Sequence, residues 1–588
     1  MRVRALAIRN FRGIRSLEWQ MSGRFVCLIG SGDTCKTTIL DAIESALSPR
    51  WRLSLSDADF YGCGVAEPIL IDVTVSDLPP ELTREEPYGH WLRGIAPNGS
   101  IVDEPGDDDE PALTVRLKVD ASLEPTWTLL KEAQGDAERQ IPGRARASFG
   151  AFQVDDRSEA HLRWTHGSAL ARLGDATDVT SIVTEAHREA RRAVFENPCG
   201  SLADAAMRAG EKLCALGCAR FTDPRPGLDP SGFGRTSTLV LHDGLLPATQ
   251  LGLGSRRLAS VAFQLAANDD ESIILLDEVE SGLEPHRLLH LLQELRKRAE
   301  NGNGQVILTT HSPVAVEAVA AADLHVVRCS DGRVSIVEVP QQLDDVVPKG
   351  SQAVVRGGPS AMLANRIVVC EGKTEVGLCR ALVRRWDSLN QCPAGLVGTA
   401  FRMGGGSGAP ATARLLADLG YPVALFTDND VIRDDWQEAM KIAKEAGVEL
   451  FTWDVGASTE DQLIRDLPSS ALPDVMSLAA RLIAKEEPEH SLRDAVSSRL
   501  GGVTLVGLDP VAWTAASGID LATVRAAIAA AAKAGKWFKT ETGGEMLGEV
   551  LTQHVQGLAT DCGTAKALSG LMRFAYALPS EGDADQTG

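Results

Sequence analysis

The alternation of apolar and polar positions along the chain predicts strands and helices in turn. Residues 1–9 and 24–30 are predicted strands, because apolar residues alternate or run together in them. Residues 36–47 predict a helix that starts at a glycine-rich turn, and residues 68–130 predict further strands separated by loops rich in proline and aspartate. The first part of the chain is therefore predicted to be an α/β unit.

A helical stretch interrupts this alternation. Residues 158–220 are rich in Ala, Arg and Glu, with apolar residues at helical spacing, whereas residues 221–235 have the composition of a loop. Strand–helix alternation resumes from residue 236 to residue 335. We therefore predict one α/β domain with a helical insert.

A second α/β region follows a polar linker at residues 340–364. A new strand is predicted at residues 366–370, and the βαβα pattern continues to about residue 465, which indicates a second parallel sheet. Residues 470–588 are mostly helical by their Ala- and Leu-rich pattern, and the final EGDADQTG is predicted to be disordered.

The composition is that of a globular protein with several domains. The chain has 588 residues, of which 44% are hydrophobic. It shows neither an apolar run long enough to span a membrane nor the apolar stretch of a signal peptide. Its eleven cysteines are scattered and mostly lie in apolar contexts, which favours reduced thiols and a cytoplasmic protein. Cys214 and Cys218 lie one helical turn apart, but no partner pair has zinc-site spacing.

The net charge of −21 argues against nucleic-acid binding by the molecule as a whole. Two considerations weaken that argument, because a divalent-metal site needs clustered carboxylates and because a local basic patch matters more than the total charge. The candidate basic patches are Arg139, Arg144 and Arg146, and Arg380, Arg384 and Arg385.

A glycine-rich segment after the second predicted strand resembles the phosphate-binding loop G-x-x-x-x-G-K-[ST]. Residues 30–37 read Gly-Ser-Gly-Asp-Thr-Cys-Lys-Thr, so Lys36 would reach the terminal phosphates and Thr37 would ligate Mg²⁺. Cys35 stands where the pattern has glycine, and its Cβ is expected to strain the loop. The predicted nucleotide-binding residues of this segment are Gly30, Gly32, Cys35, Lys36, Thr37 and Thr38.

Acids and a histidine follow two later apolar strands. Residues 273–278 read Ile-Ile-Leu-Leu-Asp-Glu, in which Asp277 would hold Mg²⁺ and Glu278 would polarise the attacking water. The segment Ser-Gly-Leu-Glu-Pro follows at 281–285, and the next apolar strand ends in His311. His311 stands at the position that resembles the switch histidine of ABC ATPases, which implies that it would sense the terminal phosphate.

These elements in this order resemble an ABC-type ATPase. Residues 250–258 resemble a degenerate ABC signature, in which Ser255 would contact a nucleotide held by another subunit. Residues 8–14 resemble the start of SMC and RecF ATPases. The resemblance implies ATP with Mg²⁺ as cofactor and a dimer, in which the helices at 158–220 form either a dimerisation insert or a surface subdomain.

Acidic residues also follow three strands of the second α/β region. Carboxylates at the ends of neighbouring parallel strands converge at one sheet edge, and oxygen ligands of this kind suit Mg²⁺ or Mn²⁺. Two such ions can activate water and stabilise the leaving oxygen in phosphodiester hydrolysis. The acids are Glu371 and Glu375 after the first strand, Asp428 and Asp430 after the second, and Glu460 and Asp461 after the third.

The motifs E-G-x-x-E at 371–375 and D-x-D at 428–430 resemble those of a Toprim domain. An ABC ATPase followed by a Toprim domain resembles the overcoming-lysogenization-defect (OLD) nuclease family, which includes the large subunit of Gabija antiphage systems. The resemblance covers residue 8 to about residue 555 and implies DNA cleavage with two Mg²⁺ or Mn²⁺ ions. The implied metal ligands are Glu371, Glu375, Asp428, Asp430, and either Glu460 or Asp461.

The family also uses a lysine near the end of the nuclease region. Here Lys536 or Lys539 would stabilise the transition state, beside Glu371, Asp428 and Asp430. In the ATPase region, Glu278 is the predicted catalytic acid. The implied partners are DNA, further copies of the chain in a homodimer or homotetramer, and a helicase; no membrane is expected.

The leading hypothesis is a DNA endonuclease regulated by an ATPase domain, in antiphage defence or DNA processing. One alternative is a non-catalytic, ATP-gated DNA-binding protein of SMC or RecF type, and another is an ATPase effector that acts through a partner. A primase is not favoured because we find no polymerising site. A topoisomerase is not favoured because no tyrosine has a recognisable nucleophile context: Tyr61, Tyr88, Tyr421 and Tyr576.

The predicted fold class is α/β, with an ABC- or SMC-like ATPase domain, a Toprim domain with a Rossmann-like parallel sheet, and a helical C-terminal region. The predicted segments are the two parts of the ATPase domain at 1–157 and 236–345, the insert at 158–235, a linker at 346–364, the Toprim core at 365–470 and the helical region at 471–588.

Overall fold

The computed structural model describes most of the chain, in two compact units formed by residues 1–339 and 340–588. The ranges it does not describe are 51, 132–138, 155–160, 165–167, 174–199, 218–222, 229–238, 269–270, 303, 342–349, 390–392, 431–433 and 579–588. The middle of the predicted helical insert, Cys218, the start of the predicted linker and the predicted disordered tail lie outside the described residues.

One large mixed sheet forms the centre of the first unit, beside a small separate sheet of β11, β12 and β13. Its strand order is β10-β14-β15-β3-β16-β17-β2-β1-β4-β7-β5-β6, with β8 and β9 continuing from β7. The strands of this unit are β1 Arg2–Phe11, β2 Ile14–Gln20, β3 Phe25–Ile29, β4 Ile69–Ser76, β5 Arg93–Ile95, β6 Ile101–Val102, β7 Glu110–Val119, β8 Pro125–Leu130, β9 Arg139–Gln140, β10 Ala151–Val154, β11 Pro224–Leu228, β12 Leu239–Asp243, β13 Leu246–Pro247, β14 Ile273–Leu276, β15 Gln305–Thr309, β16 Leu324–Ser330 and β17 Arg333–Glu338.

The sheet has a parallel half and an antiparallel half. β10, β14, β15, β3 and β16 pair in parallel, and every residue of β3, β14 and β15 is buried. Continuous apolar runs of this kind are typical of parallel strands that are covered on both faces. β2, β1, β4, β7 and β8 pair antiparallel.

The loop predicted at 221–235 is wrong where the structure describes it, because residues 224–228 form β11. This strand pairs antiparallel with β12, with Pro226 opposite Leu241, and it lies at the edge of the small sheet. An edge strand needs hydrogen bonds on one side alone, so it tolerates the two prolines that had indicated a loop.

Helices cover the parallel half of the large sheet. The helix predicted at 36–47 is confirmed, and it buries Ile39, Leu40 and Ile43. The helices of eight or more residues in this unit are α1 Lys36–Leu47, α2 Gly200–Ala215, α3 Leu253–Ala266 and α4 Pro285–Asn301. The shorter ones are Pro80–Thr83, Glu85–Tyr88, Gly143–Ala147, Ala169–Leu173 and Pro313–Ala318.

A second parallel sheet, as predicted, forms the centre of the second unit, with the strand order β19-β18-β20-β21. Its strands are β18 Arg366–Cys370, β19 Thr399–Met403, β20 Val423–Thr427 and β21 Glu449–Thr452. Its longer helices are α5 Lys373–Leu389, α6 Ala409–Asp418, α7 Asp434–Glu445, α8 Thr459–Asp466, α9 Leu472–Leu482, α10 Pro488–Ser497, α11 Pro510–Ser517, α12 Leu521–Gly535, α13 Glu541–His554 and α14 Gly563–Ala575, and its shorter ones are Gly350–Arg356 and Ala394–Val397.

Helices α5 and α13 pack at close range through glycine. A Cβ placed on Gly377 would lie 2.0 Å from Glu541 O, and one placed on Gly544 would lie 2.2 Å from Thr374 O. Thr374 Oγ1 also donates a hydrogen bond of 3.1 Å to Phe538 O, just before α13. This packing fixes the turn between α12 and α13 beside the start of α5, at the C-terminal end of β18.

The structure also bears on membrane insertion. No helix in the described ranges is both long enough and apolar enough to cross a lipid bilayer.

Candidate functional site

The glycine-rich loop after β3 closes around the amine of Lys36. Lys36 Nζ donates to Gly30 O at 3.1 Å, to Ser31 O at 2.6 Å and to Thr34 Oγ1 at 3.1 Å. The side chain is 4% exposed, and this burial lowers the pKa of Lys36 to about 8. A buried amine held by neutral oxygens at the start of a helix is suited to binding a phosphate.

Cys35 occupies the glycine position of this loop in a left-handed conformation. Its φ is 66°, which glycine adopts freely and which costs other residues roughly 1 kcal/mol. A Cβ placed on Gly13 would lie 2.8 Å from Cys35 Sγ, so Gly13 leaves room for the thiol. Burial raises the pKa of Cys35 to about 12. Of the other loop residues, Gly32 lies in open space and Thr37 and Thr38 lie in the first turn of α1.

The acids after β14 are held by hydroxyl groups. Thr309 Oγ1 donates to Asp277 Oδ1 at 2.5 Å and accepts from Glu278 N at 2.8 Å. Ser281 Oγ donates to Glu278 Oε2 at 3.0 Å. Both acids are therefore fixed at the ends of β14 and β15, which are neighbouring parallel strands.

Glu280 is a third acid at this edge, and sequence reasoning missed it. Its carboxylate accepts from Thr310 Oγ1 and from His311 N, each at 2.6 Å. Partial burial and the charge of Lys36 lower the pKa of His311. Because β15 pairs with β3, the phosphate loop and His311 lie at the same end of the sheet.

Ser255 lies in the first turn of α3 and is buried. Arg287 Nη1 donates to its hydroxyl at 3.4 Å. A Cβ placed on Gly254 would lie 2.4 Å from Gly282 O, so this segment packs closely on the loop that follows Asp277. The contact of Ser255 with a nucleotide of another subunit stays a prediction.

In the second unit, Glu371 joins the ends of two parallel strands. Its backbone N donates to Phe426 O at 2.9 Å, as the last bond between β18 and β20. Its Oε2 accepts from Asp428 N at 3.0 Å and from the hydroxyl of Thr427. The structure thus brings Glu371 and Asp428 together across one sheet edge.

Thr459, the first residue of α8, holds two further acids. Its Oγ1 lies 2.9 Å from Glu375 Oε1 and 2.8 Å from Asp428 Oδ1, which also accepts from Thr459 N at 2.8 Å. One hydroxyl proton cannot serve both carboxylates. Burial raises the pKa of Glu375, and burial together with Glu375 raises the pKa of Asp428 to about 7.

Glu460 completes the cluster as a buried charge. Its side chain is fully buried, and within the described part of the chain neither of its carboxyl oxygens has a hydrogen-bond donor. Lys539 Nζ lies 3.6 Å from Glu460 Oε2 and 3.8 Å from Asp428 Oδ2. Burial opposes the charge of Lys539, but the acids Glu460 and Asp428 outweigh it and raise the pKa of Lys539.

A second lysine, Lys533 on α12, holds the outer acids. Lys533 Nζ lies 2.6 Å from Asp430 Oδ2 and 3.9 Å from Asp461 Oδ2. Asp461 also caps α8, because Ser458 N and Oγ donate to Asp461 Oδ2 at 3.1 and 2.8 Å. Of the two alternatives after the third strand, Glu460 therefore lies with the buried acids, whereas Asp461 lies at the exposed rim.

The two lysines named from the sequence lie in different surroundings. Lys539 adjoins the acids, whereas Lys536 ends α12 with a φ of 52° and has an exposed side chain. Lys533, which contacts Asp430, was missed by sequence reasoning, and its place one helical turn before Lys536 was the available signal. Thr459 was also missed, because a threonine that starts a helix is commonplace.

The chemistry of this cluster fits divalent cations. Carboxylate oxygens are the ligands that Mg²⁺ and Mn²⁺ prefer. As they stand, no three His, Cys, Asp or Glu side chains of the described residues are arranged around a metal position. Neither carboxyl oxygen of Glu460 has a hydrogen-bond donor among the described residues, and the pKa of Asp428 is raised, so a cation bound here would stabilise the cluster.

Comparisons with known proteins identify both units. A family model described as "AAA domain, putative AbiEii toxin, Type IV TA system" matches residues 25–317. A second, described as "Overcoming lysogenization defect protein-like, TOPRIM domain", matches residues 362–430, and the two ranges together cover more than half of the chain. The predicted ATPase and Toprim domains are thereby confirmed.

Other comparisons are more distant. The SMC head domain from Thermotoga maritima aligns over 58% of this chain and 100% of its own chain, at 15% identity and a TM-score of 0.30. No curated protein sequence matches the chain.

Proposed function

We propose that this chain, which belongs to the overcoming-lysogenization-defect family of ATPase–TOPRIM proteins, is an ATP-binding, divalent-metal-dependent DNA endonuclease. The observation that carries the proposal is the buried acid cluster at the strand ends of the second sheet. Glu371, Asp428 and Glu460 come from three different segments, and they meet beside Lys539. Burying Glu375, Asp428 and Glu460 beside one another costs stability unless cations balance them, so the cluster is better explained by metal binding than by the fold.

Glu371, Glu375, Asp428, Asp430 and Glu460 would hold the metal ions. Bound there, Mg²⁺ or Mn²⁺ would supply an activated water and neutralise the leaving oxygen of a phosphodiester. Asp461, which accepts the cap bonds from Ser458, would help to hold Lys533 at the rim.

Other side chains of the protein would position the metal-binding acids and stabilise the transition state. Thr459 holds Asp428 and Glu375 in place through its hydroxyl and its backbone N–H. The ammonium group of Lys539 would donate hydrogen bonds to the non-bridging oxygens of the phosphate. Negative charge builds up on these oxygens in the transition state. Lys536 is the less favoured lysine, because it is the left-handed residue that ends α12, whereas Lys539 Nζ lies 3.8 Å from Asp428 and 3.6 Å from Glu460.

The first unit would bind ATP with Mg²⁺ and regulate cleavage. Lys36 and the loop N–H groups would hold the phosphates, Thr37 and Asp277 would ligate Mg²⁺, and Glu278 would orient the water. Assembly into a homodimer or homotetramer would bring Ser255 of one copy to the nucleotide of another. In the cell, we propose that the protein acts in antiphage defence or DNA processing, with a helicase as partner.

A plasmid assay with matched variants tests the proposal. Supercoiled plasmid is incubated with the full-length protein and Mg²⁺ or Mn²⁺, with and without ATP. We expect Asp428→Ala to reduce nicking by at least about 100-fold with an unchanged fold, because a metal ligand is lost. Asp418→Ala removes an exposed acid of α6 that pairs with Arg414, and it serves as the control. Lys36→Ala should change the response to ATP and leave the cleavage chemistry.

The outcomes separate the functions under consideration. Cutting that survives Asp428→Ala removes the proposed metal site. Retention of DNA without cutting under either metal supports the ATP-gated DNA-binding protein instead.

A further inference from the structure

A basic cavity lies beside β19 and α5 in the second unit. Its volume is about 260 Å³, and its lining includes Lys373, Arg380, Arg402 and one acid, Glu541. Glu541 forms an ion pair with Arg380. Two further cations therefore line this cavity, which we call the Arg402 pocket, in a chain whose net charge is −21.

Arg402 has donors that the described protein does not use. Its side chain is 6% exposed, and Arg402 Nη2 donates to Val354 O at 2.9 Å. Among the described residues, Arg402 Nε and Nη1 have no acceptor. Burial lowers the pKa of Arg402 to about 10. A buried guanidinium with unused N–H groups is costly unless an anion completes its hydrogen bonds.

Two glycines keep the guanidinium group clear. A Cβ placed on Gly358 would lie 3.0 Å from Arg402 Cζ, and one placed on Gly357 would lie 3.3 Å from Arg402 Nη2. Any larger residue would press against the guanidinium plane. The Gly357–Gly358 backbone therefore gives Arg402 the space that its position in the cavity requires.

The pocket lies beside β19, the strand that neighbours β18 and its acid Glu371. Arg402 lies on β19, and the next residue, Met403, pairs with Cys370 at the end of β18. Gly406 N, just beyond β19, donates to Glu371 O at 2.8 Å. Lys373 follows Glu371 by two residues and begins α5. Arg402 and Glu371 therefore lie near the C-terminal ends of two neighbouring strands.

We propose that the Arg402 pocket binds a phosphate group, supplied by the DNA strand next to the bond that is cut. That DNA supplies this phosphate rests on the proposed nuclease function. That the pocket binds a phosphate group does not. The guanidinium N–H groups without acceptors can each donate to a phosphate oxygen, and Lys373 adds a second positive charge. The volume suits a phosphate and part of its sugar rather than a larger ligand.

Binding without cleavage tests this proposal. The anisotropy of a fluorescein-labelled single-stranded oligonucleotide is measured with the full-length protein in EDTA, over a series of salt concentrations. Arg402→Met keeps the side-chain volume and removes the unpartnered charge, and the exposed change Lys373→Ala covers the case in which Arg402→Met fails to fold. We expect each to weaken binding by about tenfold and to lower the salt slope by about one phosphate contact.

The control variant lies on the same helix. Arg384→Ala removes an arginine one turn beyond Arg380. The sequence had placed Arg384 in a candidate basic patch, but in the structure it pairs with Glu545 and Glu549 outside the pocket, so it is not a free basic group. We expect it to change oligonucleotide affinity less than twofold, because its charge is already balanced by two acids. An equal loss in Arg384→Ala and Lys373→Ala would overturn the proposal, since general surface charge would then explain binding.

A second arm distinguishes the source of the phosphate. The melting temperature of the same proteins is followed with inorganic phosphate. One outcome is that inorganic phosphate raises the melting temperature of the wild type and not that of Arg402→Met, while both proteins bind the oligonucleotide equally well. That result would support a phosphate site and overturn DNA as the source of the phosphate. No effect of Arg402→Met or Lys373→Ala in either arm overturns the proposal entirely. Because both arms lack metal, they stand even where the plasmid assay shows no cutting.

Discussion

In the first unit the acids at the strand ends have hydrogen-bond donors, whereas in the second unit a fully buried carboxylate has none among the described residues. Asp277 accepts from Thr309, and Glu280 accepts from Thr310 and His311. Glu460 is left with Lys539 at 3.6 Å. The same strand-end architecture therefore serves two purposes: one site is complete in its hydrogen bonds, and the other carries surplus negative charge.

The principal lysines of the two sites differ in the same way. Lys36 binds neutral oxygens of its own loop, all within six residues of it. Lys539 reaches acids that belong to β20 and α8, distant in the sequence. The first lysine is held by local chain geometry, and the second depends on how α5, α12 and α13 pack.

The largest effect that would sharpen this comparison is expected from Asp428→Asn in metal-free buffer. The native pKa of Asp428 is raised from 3.8 to about 7, so the unfolded chain releases its proton first as the pH rises. The wild type should thus lose about 3 kcal/mol of stability between about pH 4 and pH 7, and the variant should not. Thermal unfolding in EDTA at a series of pH values measures this.

Asp277→Asn is the matched control in the first unit. It keeps an oxygen that can accept from Thr309 but removes the carboxylate charge that strengthens this hydrogen bond, so it should cost about 1 kcal/mol and be less stable than the wild type at neutral pH. Equal behaviour of the two variants would contradict the contrast between the sites. Adding Mn²⁺ should stabilise the wild type more than Asp428→Asn.

An intermediate effect is expected where helix packing supports the second site. In Gly544→Ala the new methyl group would lie 2.2 Å from Thr374 O, so α5 and α13 must separate. We expect a loss of about 2 kcal/mol in the free energy of unfolding. Cleavage should fall at least about tenfold, because Lys539 moves away from the acids. Urea unfolding and plasmid nicking measure the two effects.

The control for this change is Gly395→Ala, where a Cβ would meet open space. It should leave stability and nicking close to those of the wild type. If Gly544→Ala nicked plasmid as fast as the wild type, the second site would not depend on the packing between α5 and α13.

The smallest effect is expected in the phosphate loop. Cys35→Gly removes a Cβ from a position with a φ of 66°, in the loop that is proposed to hold the phosphates of ATP. Relief of backbone strain and the greater entropy of glycine in the unfolded chain nearly cancel, so stability should change by less than about 1 kcal/mol. The affinity for a fluorescent ATP analogue should rise about fivefold, as a titration would show.

Cys63→Gly makes the same replacement at a φ of 58° away from the loop. It should alter stability to a similar small extent and leave nucleotide affinity unchanged. A rise in affinity in both variants, or in neither, would show that the cysteine in the loop does not limit nucleotide binding.

Much of both sites could be predicted because parallel strands deliver their C-terminal residues to one edge. That rule placed Glu371 beside Asp428, whereas Asp277 and His311 were placed by the resemblance to ABC-type ATPases. The close approach of Glu371 to Asp428 follows from the pairing of β18 with β20. The local loop around Lys36 could be predicted because its residues are contiguous.

The rest depended on contacts that have no sequence pattern. Glu460 and Asp461 are neighbours, and only the setting of α8 on the sheet turns one inward and uses the other as a cap. Lys533 reaches Asp430 because α12 lies across that edge. β11 escaped prediction because its prolines are tolerated at an edge of the small sheet.

Glu371 also stabilises the second sheet. Its carboxylate ties the end of β18 to the backbone N–H and the hydroxyl at the end of β20. A substitution of Glu371 that is meant to abolish the proposed cleavage would therefore also remove hydrogen bonds between two core strands. Glu371→Gln, which keeps an oxygen for those donors, is a safer inactive protein than Glu371→Ala for capturing a bound substrate.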